Sequence, residues 1–142
     1  MINWRIISKV LGTLLWLETT FMAVCTVMAF CYGEDDVMAF LMSVIVTAIG
    51  SVVFSAAGMQ SGGSISRREA FLLVSLAWVL FSAFGMLPYL SYGVLPDLTD
   101  AFFESMSGFT TTGATLIDCV ERLPHGLLFW RSLTQWIGGL GI

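Results

Sequence analysis

An all-α integral membrane fold is the expectation for this chain, and three observations carry it. The composition is 57% hydrophobic and only 11% charged, with a mean hydropathy of +0.88, whereas ordinary soluble domains carry about 25% charged residues. The apolar residues fall in runs that suit the ~20 residues needed to cross a hydrocarbon core. Third, a hydroxyl-rich, glycine-centred segment, Gly108-Phe109-Thr110-Thr111-Thr112-Gly113-Ala114-Thr115, lies between two such runs and follows a short amphipathic stretch, Asp97 to Ser107. In a bilayer that combination describes a loop that dips in and lines an ion path, because backbone leaves helical form at membrane depth only where protein buries it or water surrounds it.

The first span is expected over Ile6 to Tyr32. Arg5 and Lys9 ahead of it resemble the start of a signal peptide, but the apolar run from Val10 to about Phe30 is longer than the 7–15 residues of a signal core. Val24 before Cys25 and Phe30 before Cys31 are poor cleavage sites. The run therefore reads as an uncleaved helix. Glu18 sits near its middle, where a lone carboxylate costs about 2.5–3.5 kcal/mol on the insertion scale. It faces protein or water, or is protonated, as a packing residue or in a direct transport role.

Gly33-Glu34-Asp35-Asp36 is an acidic turn, and a second span follows from Val37 to Gly58. Its Ser43, Thr47, Gly50, Ser51 and Ser55 recur near helical spacing, and small and hydroxyl residues let membrane helices pack closely. The loop from Gln60 to Ser66 ends in Arg67-Arg68. Ser66 and Glu69 have the spacing of a capping box. The third span is expected over Ala70 to Tyr92, with Pro88 near its end.

Basic residues set the orientation. Arg5, Lys9, Arg67 and Arg68 flank the start of the first span and the second loop, while the first loop is purely acidic. The positive-inside rule then places the N-terminus in the cytoplasm, and the dipping loop enters from outside. Leu98 to Gly108 can form a helix of about 11 residues, roughly 16 Å long, about half of a ~30 Å core. Asp97 or Thr99 can cap its start. Asp100 and Glu104, four apart, share one face, either drawing cations to a mouth or capping and solvating the helix. If this helix runs inward, the partial negative charge of its C-terminal end favours a cation.

An ion sheds water to pass a narrow site, and converging carbonyl oxygens replace that water. Thr110, Thr111 and Thr112 can offer carbonyls at successive depths, with their hydroxyls bonded to the helix behind. Gly113 can take the positive φ that keeps successive carbonyls facing one axis. The plain alternative is a polar kink in a helix hairpin. Leu116 to Pro124 reads as an external loop, and Leu127 to Ile142 starts another span interrupted by Arg131 and Gln135. About 16 residues is short of a crossing, so the chain reads as the N-terminal piece of a longer one.

Three spans, a short helix, Phe103-Glu104-Ser105-Met106-Ser107-Gly108-Phe109-Thr110-Thr111-Thr112-Gly113-Ala114-Thr115, and then Trp130-Arg131-Ser132-Leu133-Thr134-Gln135-Trp136-Ile137-Gly138-Gly139 resemble the TrkH family of bacterial Trk-type potassium uptake systems, across the whole chain. The resemblance implies a voltage-gated-like ion channel, Trk-type fold, in which four M1–pore-helix–M2 repeats with re-entrant filter loops surround one pathway. Residues 1–66 would be two leading helices and their loops, and residues 67–142 the first repeat with an incomplete M2.

The resemblance further implies potassium uptake across the bacterial inner membrane by a pore-forming subunit. Thr110, Thr111, Thr112 and Gly113 would form the filter, and Gly108, Ala114 and Thr115 would support it. The backbone at Thr111, Thr112 and Gly113 would bind potassium, with Gly113 favouring it over sodium. It implies a homodimer gated by a cytosolic nucleotide-binding ring of the TrkA type. Potassium is cargo, and no covalently bound cofactor is expected. Both channel-like flow and symport with protons or sodium fit the residues, and one repeat alone is not expected to conduct.

The remaining residues add no chemistry. The net charge of −4 gives no basic field for nucleic acid. Cys25, Cys31 and Cys119 have no metal-ligand spacing and read as packing residues. His125, the only histidine, reads as a loop residue without a partner for general-base work, and no catalytic residue is expected. Arg131 needs a partner at membrane depth, with Asp118 or Glu121 the candidates, or it snorkels to the outer interface. Two other functions compete. A non-conducting scaffold or assembly subunit would tolerate Gly113→Ala. A membrane enzyme with its site on the loop from Asp97 to Arg122 would need a nucleophile–base pair or metal constellation, and neither is visible.

Overall fold

The structure is a computed structural model, and it describes residues 2–59 and 65–140. Among the described residues six α-helices follow one another: α1 (Trp4–Tyr32), α2 (Val37–Ala57), α3 (Arg67–Gly85), α4 (Leu87–Tyr92), α5 (Leu98–Phe109) and α6 (His125–Gly139), with a 3₁₀ turn at Val120–Arg122. Three stretches are long and apolar enough to cross a membrane: Trp4–Tyr32, Val37–Ala57 and Arg67–Tyr92, the last running through α3 and α4.

The helices α1 and α2 form an antiparallel hairpin, the most extensive helix pair in the molecule. Its turn closes on Gly33, which takes φ 68°, while the Gly33 and Glu34 N–H groups bond back to the Phe30 and Ala29 carbonyls. The small and hydroxyl residues of α2 do the packing that their spacing predicts. Ser43, Thr47 and Ser51 are buried, and the Ser43 and Thr47 hydroxyls donate to the Ala39 and Ser43 carbonyls. A Cβ on Gly50 would stand 2.6 Å from the Phe84 ring of α3. Glycines at 12 and 58 bring the backbones together at Ser55 and Lys9.

The capping box forms. The Ser66 hydroxyl accepts from the Glu69 N–H at 3.4 Å, and the Glu69 carboxylate accepts from the Ser66 N–H at 2.8 Å. Glu69 also accepts from the Asn3 N–H at 2.7 Å, fastening the chain ahead of α1 to the start of α3. Most of the loop from Gln60 to Ser66 lies outside the described residues. The third span is not one helix. It breaks at Met86, since Pro88 has no N–H for the Phe84 carbonyl and its ring crowds the preceding turn.

The core gathers between α1, α3, α4, α5 and α6 around Phe81, Tyr89, Phe109 and Trp130. Phe109 stacks on Phe81 at 5.3 Å and meets Trp130 edge-on at 6.3 Å. The Trp130 indole donates to the Gly85 carbonyl at 3.0 Å. This uses a carbonyl that the helix break leaves open.

Candidate functional site

The site is built on α5. Asp97 caps its start by accepting from the Thr99 N–H at 2.8 Å, which decides between the two caps the sequence allows. The C-terminal half of the helix is buried: Ser105, Ser107, Gly108 and Phe109 face protein. From Thr110 to Leu116 the chain is exposed. The change is abrupt because the helix ends there in a wound turn rather than a cap to solvent. The Thr110 N–H bonds to the Met106 carbonyl at 2.9 Å and the Thr111 N–H to the Gly108 carbonyl at 3.0 Å.

Two residues then take left-handed backbone, Thr111 at φ 56° and Gly113 at φ 76°. Gly113 does so at little steric cost. The threonine is the unexpected member, since β-branched residues rarely adopt positive φ. Between these reversals the N–H groups of Thr112 and Gly113 both turn back to the Ser107 carbonyl, at 3.0 and 3.4 Å. The donors of this stretch are therefore spent on the helix behind it. Among the described residues, no hydrogen bond ends on the carbonyls of Thr110, Thr111, Thr112 or Gly113. The Thr110 hydroxyl donates to the Met106 carbonyl at 2.7 Å and lies 2.9 Å from that of Thr112.

Ala114 and Thr115 tie the exit of the segment down. The Ser107 hydroxyl donates to the Ala114 carbonyl at 2.6 Å, so this carbonyl points back at α5. The Thr115 hydroxyl and the Leu116 N–H both donate to the Glu104 carboxylate, at 2.9 and 3.0 Å. Glu104 also accepts from the Arg131 guanidinium at 3.0 Å. Glu104 thus belongs to neither a mouth nor a solvated face, as it is only 3% exposed. Arg131 pairs with it rather than with Asp118 or Glu121, which lie in the loop beyond. One buried carboxylate of α5 thus holds both the exit of this segment and α6.

Helix α6 supports the segment from behind. Gly108 packs against the Thr134 side chain, and Gly138 packs against the backbone carbonyl of Phe109 so closely that no Cβ fits there. Gly139, by contrast, has only the Thr111 Cγ2 at 4.0 Å. Helix α6 begins at His125 rather than Leu127, and the reason lies far away in the chain. After Pro124, its first N–H groups meet the acidic turn between α1 and α2. The His125 N–H donates to Glu34 at 2.6 Å, and the Leu127 N–H donates to Asp36 at 3.2 Å. The His125 ring shares a 2.8 Å hydrogen bond with Glu34 and stacks on Tyr32 at 4.1 Å. His125 is a docking residue, not a free loop side chain. Its hydrogen bond holds the Glu34 carboxyl below the usual carboxylate range, whereas burial pushes Asp36 up. The end of the expected last span, Gly141-Ile142, lies outside the described residues.

A short helix, a left-handed reversal and a supporting helix packed through glycine stand beside three helical stretches of membrane-crossing length. The TrkH family model, described as a cation transport protein, matches residues 36–142, and the chain belongs to that family. It is 38% identical over 143 residues to the Trk system potassium uptake protein TrkH of Escherichia coli K12, covering 99% of this chain and 29% of the relative. It is 34% identical over 140 residues to the potassium uptake protein TrkI of Halomonas elongata, covering 99% of this chain and 28% of the relative. The crystal structure of the potassium transporter TrkH from Vibrio parahaemolyticus superposes with a TM-score of 0.91 at 33% identity, over 99% of this chain and 30% of that one. The chain thus spans about three-tenths of the length of the relatives it matches. The family is one of cation transporters, not enzymes. Among the described residues, no cluster of three His, Cys, Asp or Glu side chains is placed to hold a metal ion.

Proposed function

We propose that Thr110, Thr111, Thr112 and Gly113 form one side of a potassium selectivity filter in the inner membrane of a bacterium, with potassium as the transported ion. The observation that carries this is the spent-donor, free-acceptor backbone. Among the described residues, an exposed segment keeps four carbonyls unbonded while its N–H groups are consumed by α5. Such carbonyls replace the hydration shell of a cation, and the C-terminal end of α5 adds its partial negative charge. Thr111, Thr112 and Gly113 are the binding carbonyls, and Gly108, Ala114 and Thr115 fix their backbone. One strand supplies one wall, so the complete pathway needs further walls of the same kind.

On this reading residues 1–66 are the leading helix pair, and residues 67–142 are an M1–pore-helix–M2 repeat. The N-terminus faces the cytoplasm, and no residue acts in catalysis. On the same reading the complete protein works as a homodimer with a cytosolic nucleotide-binding subunit of the TrkA type; the relatives' Trk system names support partners of some kind.

The test is a chimera in which residues 1–142 replace the matched segment of the E. coli relative, expressed in cells without their own potassium uptake. Rubidium-86 uptake by the chimera, lost in Gly113→Asp at equal membrane abundance, is the expected result. Equal uptake by both would remove the filter assignment.

A further inference from the structure

Ser107 makes three bonds to the exposed segment that follows α5. Its carbonyl accepts from the Thr112 and Gly113 N–H groups, at 3.0 and 3.4 Å. Its hydroxyl donates to the Ala114 carbonyl at 2.6 Å. One residue of the helix, only 4% exposed, therefore grips three consecutive residues of the segment.

The carbonyl half of this grip closes the helix. The bonds from Thr112 to Ser107 and from Thr111 to Gly108 are the pair that ends a helix in a Schellman motif, where the residue after the cap takes left-handed backbone and is usually glycine. Here that residue is Thr111, at φ 56°. A β-branched side chain holds such backbone only where its surroundings over-determine it. The hydroxyl half is also unusual. Ser43, Ser75 and Ser132 return their hydroxyls to carbonyls four residues back in their own helices, the ordinary habit of a helical serine. Ser107 instead reaches forward to a carbonyl seven residues ahead. Thr111 thus lies between the helix and three residues that Ser107 has fastened to that same helix.

We propose that Ser107 is a positioning residue that sets cation specificity. Its hydroxyl draws the Ala114 carbonyl aside and so ends the run of ion-facing carbonyls at Gly113. Its grip beyond Thr111 keeps that residue in the left-handed form on which the spacing of the run depends. Without the hydroxyl, the Ala114 carbonyl is free to turn and the strand loosens, so its oxygens can close on a smaller cation. The specificity role rests on the filter reading above. The grip itself does not.

Two measurements on the chimera in lipid test the two parts. Carbon-13 alanine with nitrogen-15 threonine selects Ala–Thr peptide bonds in solid-state NMR, and the Ala114 carbonyl is the resonance that Ala114→Gly removes. It should move upfield in Ser107→Ala, as a carbonyl does on losing a donor, and stay in place in Ser107→Thr. A resonance indifferent to Ser107→Ala overturns the grip. Rubidium-86 uptake under sodium competition tests specificity. Ser107→Ala should lower the preference for rubidium about two- to tenfold, the worth of one hydrogen bond, and Ser107→Thr should keep it. Thr111→Gly takes left-handed backbone at little steric cost, so Ser107→Ala should cost less preference in that background. An unchanged preference in Ser107→Ala, or a loss in Ser107→Thr as large, overturns the specificity role. Equal losses with Thr111 and with glycine at that position overturn the hold on Thr111. No uptake by the unmutated chimera overturns the filter reading and the specificity role with it, while the Ala114 resonance still decides the grip.

Discussion

The Arg131 guanidinium donates to the buried Glu104 carboxylate at 3.0 Å, and the same carboxylate receives the Thr115 hydroxyl and the Leu116 N–H. An arginine one-fifth exposed thus neutralises a carboxylate that water barely reaches.

Removing one partner of a buried pair leaves the other uncompensated, at about 3–5 kcal/mol. Arg131→Met should therefore lower the melting temperature of the chimera in detergent far more than Arg122→Met, which alters a loop residue. Adding Glu104→Gln to Arg131→Met should restore part of the loss, because glutamine still accepts from Thr115 or Leu116 without a stranded charge. Additive losses in the double variant would refute the coupling.

Gly138 and Gly139 are neighbours with opposite expectations. Gly138→Ala drives a methyl into the Phe109 carbonyl, an overpacking that costs about 1–3 kcal/mol and displaces the end of α5. Rubidium uptake should fall with it. Gly139→Ala meets only a methyl at 4.0 Å and should leave both melting temperature and uptake near the unmutated values.

The Trp130 indole and the Gly85 carbonyl make a buried bond that a phenylalanine cannot. Trp130→Phe keeps an aromatic ring against Phe109 but strands the carbonyl, at about 1–3 kcal/mol. The loss should appear as a lower thermal midpoint, and an unchanged midpoint would mean that another donor satisfies Gly85.

The acidic turn gives two pH dependences of opposite sign. Hydrogen bonding to His125 lowers the Glu34 carboxyl in the folded state. Its stabilisation is therefore present above the unfolded value, about 4.3, and is lost as pH falls through the folded one. Burial raises Asp36, so its contribution is full below about 3.9 and is lost as pH rises through the folded value. Thermal melts between pH 3.5 and 7, on the order of these carboxyl values, should separate them. Glu34→Gln removes the acid-side loss, and Asp36→Asn removes the decline on the alkaline side. Parallel curves for the two variants would contradict this assignment.

What the sequence made legible follows from the range of the forces involved. The capping box at Ser66 and Glu69 and the cap at Asp97, one of the two caps expected, depend on neighbours within four residues, and the first three spans on runs of about 20; these stand near where expected, except that the third span breaks at Met86. Helix α6 starts two residues before the expected Leu127 because its first donors are met by Glu34 and Asp36, 91 residues away in each bond. Glu104 shows the same limit. Its spacing from Asp100 says which residues share a face, not whether that face meets water or Arg131. The positive φ of Gly113 could be argued from its lack of a Cβ, but that of Thr111 could not, since no local preference asks a threonine for it.

The meeting of the acidic turn with the start of α6 also sets an order in time. Ribosomes add roughly 5–20 residues per second, so Glu34 and Asp36 leave the ribosome on the order of ten seconds before the amides they will receive. The α1–α2 hairpin is then already a finished acceptor when α6 arrives with unpaired N–H groups. The first-made helices serve as the mould against which the later one is set.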